Sequence, residues 1–255
     1  TDAKDADRVY NTNVEGARLV IGTALDQGVK SVIHVSSVTA LFNPDATVLD
    51  GDSPPGTAKN AYGRSKVSCE KYARGLQEEG APVHITYPAS VIGPDDPGLT
   101  EPHSGLQTYL QSFVPVMPSG CQYVDVRDVA EVHRRLLSQS LEPGRYTLGG
   151  HYVPWRELAP LLEQLTGREL RKLPATGAMM RGLGRVIDLV KHVKAMDLPL
   201  GYEATVYATN WVQMDNIRSE QELDFSLRQL VDYMADALQW LCSAGYISAE
   251  QSGKL

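Results

Sequence analysis

The stretch KSVIHVSS, residues 30–37, is the part of the sequence that decides the fold. Its centre is a short, mostly β-branched run, and Ser36 and Ser37 follow that run directly. Such a run, bounded by polar residues, is typical of a buried parallel strand. Before it, residues 13–28 carry apolar side chains at helical spacing, and Gly28 ends the pattern. We therefore expect a helix that leads into a buried parallel strand.

The alternation of helix and strand continues along the chain. Residues 62–79 have a helical pattern, and residues 41–60 before them are rich in Asp, Pro and Gly, which predicts an exposed loop. Further strands are predicted at VHITYP, QYVDV and GRYTLGG, with a helix at residues 127–138. This order favours an open parallel sheet covered by helices on both faces. Beyond Gly150 amphipathic helical patterns dominate and predict a helical lobe; they lie at residues 154–169, 177–196 and 227–245.

Composition excludes several classes of protein. The 255 residues carry a net charge of −7 without a dense Lys/Arg run, which argues against a nucleic-acid partner. Cys69, Cys121 and Cys242 are widely spaced, as are the histidines, so we expect reduced thiols and no metal site. No apolar stretch reaches the roughly 18 residues of a membrane span. The polar N-terminus does not resemble a signal peptide, and we expect a cytoplasmic protein.

The segment NAYGRSK, residues 60–66, places Tyr62 and Lys66 four positions apart. On a helix these two side chains lie on one face, and Cys69 and Ala73 continue that face toward the core. A neighbouring ammonium favours phenolate, so we expect the pKa of Tyr62 to fall from about 10 toward neutrality. A phenol of this kind serves as a general acid or base. A solvated helix pair is the alternative interpretation of the tyrosine and lysine taken alone.

Polar residues follow two of the predicted strands at the same edge of the sheet. Ser36 and Ser37 end the first strand, and the segment TYPAS, residues 86–90, ends the next. Ligands of open α/β sheets bind just beyond the carboxyl ends of the strands. A serine hydroxyl there can hold a substrate oxygen, although simple capping of the strand end is the alternative. His34, inside the apolar run, is interpreted as a core histidine.

Six blocks in order, NVEGA, VIHVSS, YGRSK, YPASVIGP, YVDVRDVA and SEQELDFS followed by LQWL, resemble the extended branch of the short-chain dehydrogenase/reductases, the NAD-dependent epimerase/dehydratase family. The resemblance implies an α/β fold with a doubly wound, Rossmann-type parallel sheet and a smaller, mostly helical substrate lobe. It assigns residues 1–88 and 121–149 to the dinucleotide-binding domain. The remaining residues, 89–120 and 150–255, form the substrate lobe.

The same resemblance implies roles for individual residues. Tyr62 is the catalytic acid/base, Lys66 is its partner and holds the nicotinamide ribose, and Ser37 donates to the substrate oxygen. The cofactor is NAD or NADP. Further implied contacts are Thr12 with the cofactor, Pro88 and Ala89 with its carboxamide, and Ser90 with the substrate. Relatives commonly form homodimers through two helices, here those near residues 14–27 and 62–79. Thr12 can equally be an ordinary helix residue.

One motif of the family is missing from the sequence. Relatives begin with a strand, a G-x-x-G-x-x-G turn and a helix, which together hold the pyrophosphate. The 255 residues contain no such arrangement, so we expect an N-terminally truncated chain. Alone it should bind dinucleotide poorly and be inactive. The residue that selects NAD or NADP would also lie in the missing part.

The expected substrate is a small, apolar carbonyl compound or alcohol. Tyr87 stands where relatives that act on nucleotide sugars have an arginine, and Cys121 lies near the place of a second one. The sequence is therefore more similar to dihydroflavonol reductases and 3β-hydroxysteroid dehydrogenases. Met179, Met180 and Met196 are core residues or line an apolar pocket. A nucleotide-sugar epimerase or dehydratase is the alternative enzyme, and a non-catalytic dinucleotide sensor is the alternative of another class.

Overall fold

The computed structural model describes residues 6–193 and 201–255. Helices and strands alternate through the first part, and helices dominate the second. The strands are β1 Val32–Val35, β2 Val83–Pro88, β3 Ser90–Ile92, β4 Val114–Val116, β5 Gly120–Asp125, β6 Arg145–Leu148, β7 His151–Pro154 and β8 Lys172–Pro174. The helices are α1 Ala6–Asp26, α2 Val38–Leu41, α3 Ala61–Glu78, α4 Glu101–Gln111, α5 Val126–Ser138, α6 Trp155–Thr166, α7 Gly177–Val193, α8 Tyr202–Thr209, α9 Ile217–Glu222, α10 Leu230–Ser243 and α11 Ala249–Ser252.

The first sheet contains β1, β2 and β6 in that order, and all its pairs are parallel. Helices α1 and α3 pack together on one side of it, and α5 contacts β1 from the other. The predicted helix ending at Gly28 is confirmed, and this glycine has a φ of +70°, which suits the end of a helix. The predicted α/β fold with a parallel sheet between helices is therefore confirmed.

The strand at QYVDV exists but does not belong to the first sheet. It is part of β5, which pairs in parallel with β3 and antiparallel with β7. Pro88 lacks an N–H donor and ends β2, and β3 begins two residues later in the second sheet. The prediction that QYVDV extends the first sheet is therefore wrong. GRYTLGG contains β6, which does join that sheet.

The segment 41–60 is less exposed than its composition predicts. Leu41, Phe42 and Leu49 are buried in the core beside β2. The backbone N–H of Leu49 donates to the carbonyl of Gln213 at 2.8 Å, which ties this segment to the helical lobe. The predicted loop is confirmed for residues 42–60, but it is not exposed throughout, because a few apolar side chains among the abundant Asp, Pro and Gly residues are buried.

The predicted helical part beyond Gly150 is confirmed in α6, α7 and α10. Trp155, Leu158, Tyr233 and Leu238 are buried in the core between α6 and α10. Met180 packs against that core and Met179 is exposed, whereas Met196 lies outside the described residues. Across residues 6–193 and 201–255, no helix is long and apolar enough to cross a bilayer, and no cluster of three or more potential metal ligands occurs.

Candidate active site

The carboxyl ends of β1 and β2 lie side by side. Val35 is opposite Thr86 in the parallel register, and the N–H of Ser36 donates to the Thr86 carbonyl at 2.8 Å. The residues that follow, Ser37 and Pro88, are consequently at the same edge of the sheet. This is the edge at which open parallel sheets bind ligands.

Ser37 joins the end of β1 to the short helix α2. It is the N-cap of α2, and its Oγ accepts a hydrogen bond from the N–H of Thr39 at 3.2 Å. The Ser37 hydroxyl is also a hydrogen-bond partner of the Tyr62 phenol and lowers its pKa. The cap fixes the direction of the serine side chain, so the Ser37 hydroxyl stays within hydrogen-bond distance of the Tyr62 phenol.

Tyr62 and Lys66 lie one turn apart at the start of α3. Asn60 caps this helix, and its side chain accepts from the N–H of Gly63 at 2.6 Å. The Lys66 ammonium is 5.6 Å from the centre of the Tyr62 ring. The Tyr62 residue remains 41% exposed. The structure therefore brings Ser37, Tyr62 and Lys66 together, with the phenol still open to solvent on one side.

The pKa of Tyr62 is raised, which contradicts the expected fall toward neutrality. Partial burial of the phenol is the main cause, the Glu101 carboxylate adds to it, and only the hydrogen bond from Ser37 opposes it. Burial also lowers the pKa of Lys66. In this state Tyr62 is a neutral phenol, the form that donates a proton.

Pro88, Ala89 and Ser90 continue the same edge. The N–H of Ala89 donates to the Leu148 carbonyl at 3.1 Å, which fixes the backbone after β2. The hydroxyl of Ser90 lies 3.1 Å from the Cys121 thiol, and burial raises the pKa of that thiol to about 11. The Glu101 carboxylate raises the pKa of both Cys121 and Tyr62, so its charge acts on both of these groups.

Thr12 lies on the exposed side of α1. Its neighbour Asn13 connects α1 to α3, since the Asn13 side-chain amide donates to the Ser65 hydroxyl at 2.8 Å. The Cys69 thiol contacts the Asn13 carbonyl at 3.4 Å. Thr12 is therefore carried by the helix that packs against α3, and its contact with a cofactor stays a prediction.

A buried polar network beneath the site was not predicted. Glu70 is fully buried, and its carboxylate accepts from the Ser36 hydroxyl at 2.8 Å, the Tyr87 hydroxyl at 2.6 Å and the Arg74 Nε at 2.6 Å. The Arg74 Nη2 also donates to the Tyr87 hydroxyl at 3.2 Å. The network joins α3 to the ends of β1 and β2. The sequence did contain a signal for this network, because Glu70 lies four residues after Lys66 and therefore on the same side of the helix.

Residues from more distant segments also reach the site. The Thr39 hydroxyl is a hydrogen-bond partner of Tyr207, whose ring lies 4.2 Å from that of Phe42. Burial is the main cause that raises the pKa of Tyr207, and a charge on Tyr62 raises it further. Glu101 opens α4, and Tyr207 comes from α8 in the helical lobe. Nothing local in the sequence connects either of them with Tyr62.

The arrangement fits one end of a nicotinamide dinucleotide. The Tyr62 phenol and the Lys66 ammonium lie on one helix and point to the edge of the sheet, where Tyr62 is open to solvent. Such donors suit the hydroxyls of a ribose. A glycine-rich cradle for a pyrophosphate is not among the 255 residues. The residues present thus fit the reactive end of such a cofactor.

Residues 1–149 match the NAD dependent epimerase/dehydratase family. A Synechocystis sp. protein provisionally named dihydroflavonol 4-reductase is 26% identical over 267 residues, which cover 97% of this chain and 74% of the relative. Sterol demethylase protein B of Methylococcus capsulatus is 26% identical over 261 residues, covering 96% and 76%. The crystal structure of gox2253 superimposes with a TM-score of 0.79 at 23% identity, covering 97% of this chain and 77% of that one.

Proposed function

The chain belongs to the NAD dependent epimerase/dehydratase family, which confirms the predicted resemblance and the class of cofactor, NAD or NADP. We propose that it supplies the catalytic residues of an oxidoreductase that interconverts a carbonyl group and a secondary alcohol on a small apolar substrate. The observation that carries this proposal is the meeting of Ser37, Tyr62 and Lys66 at the sheet edge. When bound, the nicotinamide supplies hydride to the substrate carbon or accepts hydride from it.

The three side chains divide the proton chemistry. Ser37 donates a hydrogen bond to the carbonyl oxygen and polarises it. Tyr62, held as a neutral phenol, gives its proton to that oxygen as the carbon is reduced. The ammonium of Lys66 then stabilises the phenolate that remains. In alcohol oxidation each proton moves in the opposite direction. Thr12, Pro88 and Ala89, with Tyr62 and Lys66, are the residues we propose to hold the cofactor.

Two features support an apolar substrate. Tyr87, at the position of the arginine expected in nucleotide-sugar enzymes, is buried in the Glu70 network and does not reach the cleft. The substrate side near Ser90 is formed by the buried Cys121, and Tyr109 packs edge-on against Trp155 close by. Both curated relatives described above have names that refer to reduction or sterol metabolism. These uncharged side chains and the nearby Glu101 carboxylate would leave a diphosphate without a partner of opposite charge.

We also propose that these 255 residues bind dinucleotide weakly and that the protein is a homodimer. Weak binding follows because the 255 residues contain no glycine-rich turn, and a pyrophosphate needs several backbone donors at a helix N-terminus. Dimer formation through α1 is supported by Leu19 and Val20, which are exposed on its outer side. Isothermal titration with NADH and light scattering at several concentrations test these two statements. Tight NADH binding by the chain, or a monomer at all concentrations, would refute them.

A spectrophotometric screen of the full-length gene product tests the reaction. We expect oxidation of NADH or NADPH with apolar ketones, and none with nucleoside-diphosphate sugars. Conversion of a nucleotide sugar without net cofactor oxidation would favour the epimerase alternative instead.

A Ser37→Ala variant should lower turnover by about 10²-fold, because one hydrogen bond to the developing charge is lost. Ser138→Ala, an exposed serine at the end of α5 away from the site, is the matched control and should keep most of the activity. Dinucleotide binding without any turnover would favour the sensor.

A further inference from the structure

Helix α7 carries an apolar stripe on its outer face. Met179, Leu183, Val186 and Leu189 are 65%, 48%, 57% and 69% exposed, and Val190 beside them is 38% exposed. Their spacing of three and four residues places them along one side of the helix. A helix in a water-soluble lobe ordinarily turns such a stripe inward. Here, among the described residues, the stripe stays exposed to solvent.

The inner face of α7 fixes this orientation. Gly184 lies so close to α8 that a Cβ at this position would be 2.7 Å from the Thr205 hydroxyl and 2.9 Å from the Gly201 carbonyl. Arg181 donates to the Thr209 hydroxyl at 2.9 Å, and the Asp188 carboxylate accepts from the N–H of Tyr202 at 2.9 Å. The small and polar residues of α7 therefore pack against α8. The apolar stripe therefore faces away from the lobe.

The stripe continues into an open apolar groove. Met179 belongs to both surfaces, because it also lines a groove of about 400 Å³. Arg156 stands at the groove with its side chain 75% exposed. The remaining lining residues are Val116, Met117, Pro118, Pro174, Ala175 and Thr176. The exposed apolar surface therefore extends beyond α7 itself, and a cation lies at its end.

This part of the chain is basic, although the protein as a whole is acidic. Helix α7 itself, residues 177–193, contains three Lys or Arg and one Asp, a net charge of +2 in a chain of −7. Arg185, on α7, is exposed and lies over the ring of Tyr202, 4.8 Å from its centre. Local cationic charge around an apolar helix face is typical of surfaces that bind anionic lipid.

We propose that α7 and the adjoining groove form a docking surface for an anionic phospholipid bilayer. The helix would lie in the plane of the interface, with its apolar side chains about 5–10 Å into the boundary of headgroups and acyl chains. Basic side chains near the stripe, Arg185 among them, would contact the phosphates of an anionic surface.

A second copy of the chain fits this surface less well. In a two-fold dimer the same patch meets itself, so two α7 helices of +2 charge would face each other. Like charges brought together across an interface are unfavourable. The charge of the patch therefore selects an anionic lipid surface over a copy of the protein.

The docking proposal is compatible with the proposed reaction but separate from it. An apolar substrate partitions into a bilayer, and a protein held at that surface would meet it there. The test uses lipid and protein alone, without substrate or cofactor. Its failure would leave the proton chemistry at Tyr62 untouched, and absence of turnover would not affect vesicle binding.

Co-sedimentation with vesicles tests the proposal. We expect the chain to sediment with phosphatidylcholine vesicles that contain phosphatidylglycerol at least five-fold more than with phosphatidylcholine alone, and less so as salt is added. The double variant Leu183→Glu/Val186→Glu should lose at least five-fold of this binding. The control Leu137→Glu/Ile217→Glu adds the same charge at side chains 59% and 57% exposed on α5 and α9, and should bind like the unchanged chain.

Circular dichroism checks that each variant folds, and Met179→Glu/Leu189→Glu replaces the first pair if it does not. Absence of sedimentation with both kinds of vesicle would overturn the proposal. Equal loss in the control pair would do so as well. Self-association that Leu183→Glu/Val186→Glu abolishes, without vesicle binding, would assign the surface to a second copy of the chain.

Discussion

Two regions of this protein reverse the usual distribution of polar and apolar groups. Where α3 meets β1 and β2, a carboxylate is fully buried. On α7, four large apolar side chains are mostly exposed. Glu70 tolerates burial because three donors within the chain satisfy it. The α7 stripe is not satisfied within the described residues in this way. The buried carboxylate thus finds all its hydrogen-bond donors within one molecule. For the apolar stripe on α7 we propose a partner outside the molecule, the lipid surface.

The largest effect on stability should come from removing the centre of the buried network. Glu70→Ala leaves the Ser36 and Tyr87 hydroxyls without their acceptor and the mostly buried Arg74 guanidinium without its counter-charge. We expect the free energy of unfolding to fall by about 3–5 kcal/mol, the usual cost of removing one partner of a buried pair. Urea unfolding measures it.

The Glu70→Gln variant is the matched control for this prediction. It keeps the shape and one carbonyl acceptor but removes the charge, so the loss should be smaller than in Glu70→Ala. A fall below about 1 kcal/mol for Glu70→Ala would mean that the network adds little, because that is within the range of a single ordinary hydrogen bond. Such a result would contradict the statement that the hydrogen bonds of the network compensate the burial of Glu70.

A pair of glycines in α7 tests the second region. A Cβ at Gly184 would contact the backbone of Tyr202 at 2.8 Å, whereas a Cβ at Gly182 has no atom within 4 Å. We expect Gly184→Ala to destabilise the packing of α7 on α8 by about 1–3 kcal/mol. Gly182→Ala should stabilise the helix by about 0.5–1 kcal/mol, because alanine is the better helix former. Hydrogen exchange of the α7 amides measures both, and equal protection in the two variants would contradict this packing.

The smallest effect concerns His34 and acid. Its Nε2 is buried without a hydrogen-bond partner among the described residues, and burial lowers its pKa below 6.5. A lowered pKa stabilises the fold above pH 6.5 and loses that contribution as pH falls through the folded value. We expect His34→Leu to reduce the loss of unfolding free energy between pH 7.5 and 5.5 by up to about 1 kcal/mol. Urea titrations at both pH values measure this loss. If the variant loses as much unfolding free energy between the two pH values as the unchanged protein, His34 is not the source of the acid sensitivity.

Local patterns predicted the centre of the site. The strand ending at Ser37 and the helix carrying Tyr62 and Lys66 follow from periodicity and strand ends, which depend on neighbouring residues. The sheet to which QYVDV belongs could not be predicted, because a strand pattern does not name its partner. Glu101 and Tyr207 were missed for a related reason, since segments far along the chain bring them to the site.

The direction of the Tyr62 pKa was the least predictable property. Proximity to Lys66 was readable from the spacing, but the balance between that charge and the burial of the phenol depends on the folded surroundings. Burial and Glu101 together decide the direction. The Glu70 network shows the same limit, because its position on the helix is visible and its partners on β1 and β2 are not.

The most direct test of proton transfer is the single-turnover rate of carbonyl reduction by the full-length gene product with Tyr62→Phe. We predict a rate about 10²–10⁴-fold below that of the unchanged enzyme, the usual contribution of a positioned acid. The dissociation constant of the dinucleotide should rise by no more than about ten-fold, because one hydroxyl among several proposed cofactor contacts is removed. An unchanged rate would contradict the assignment of Tyr62 as the acid.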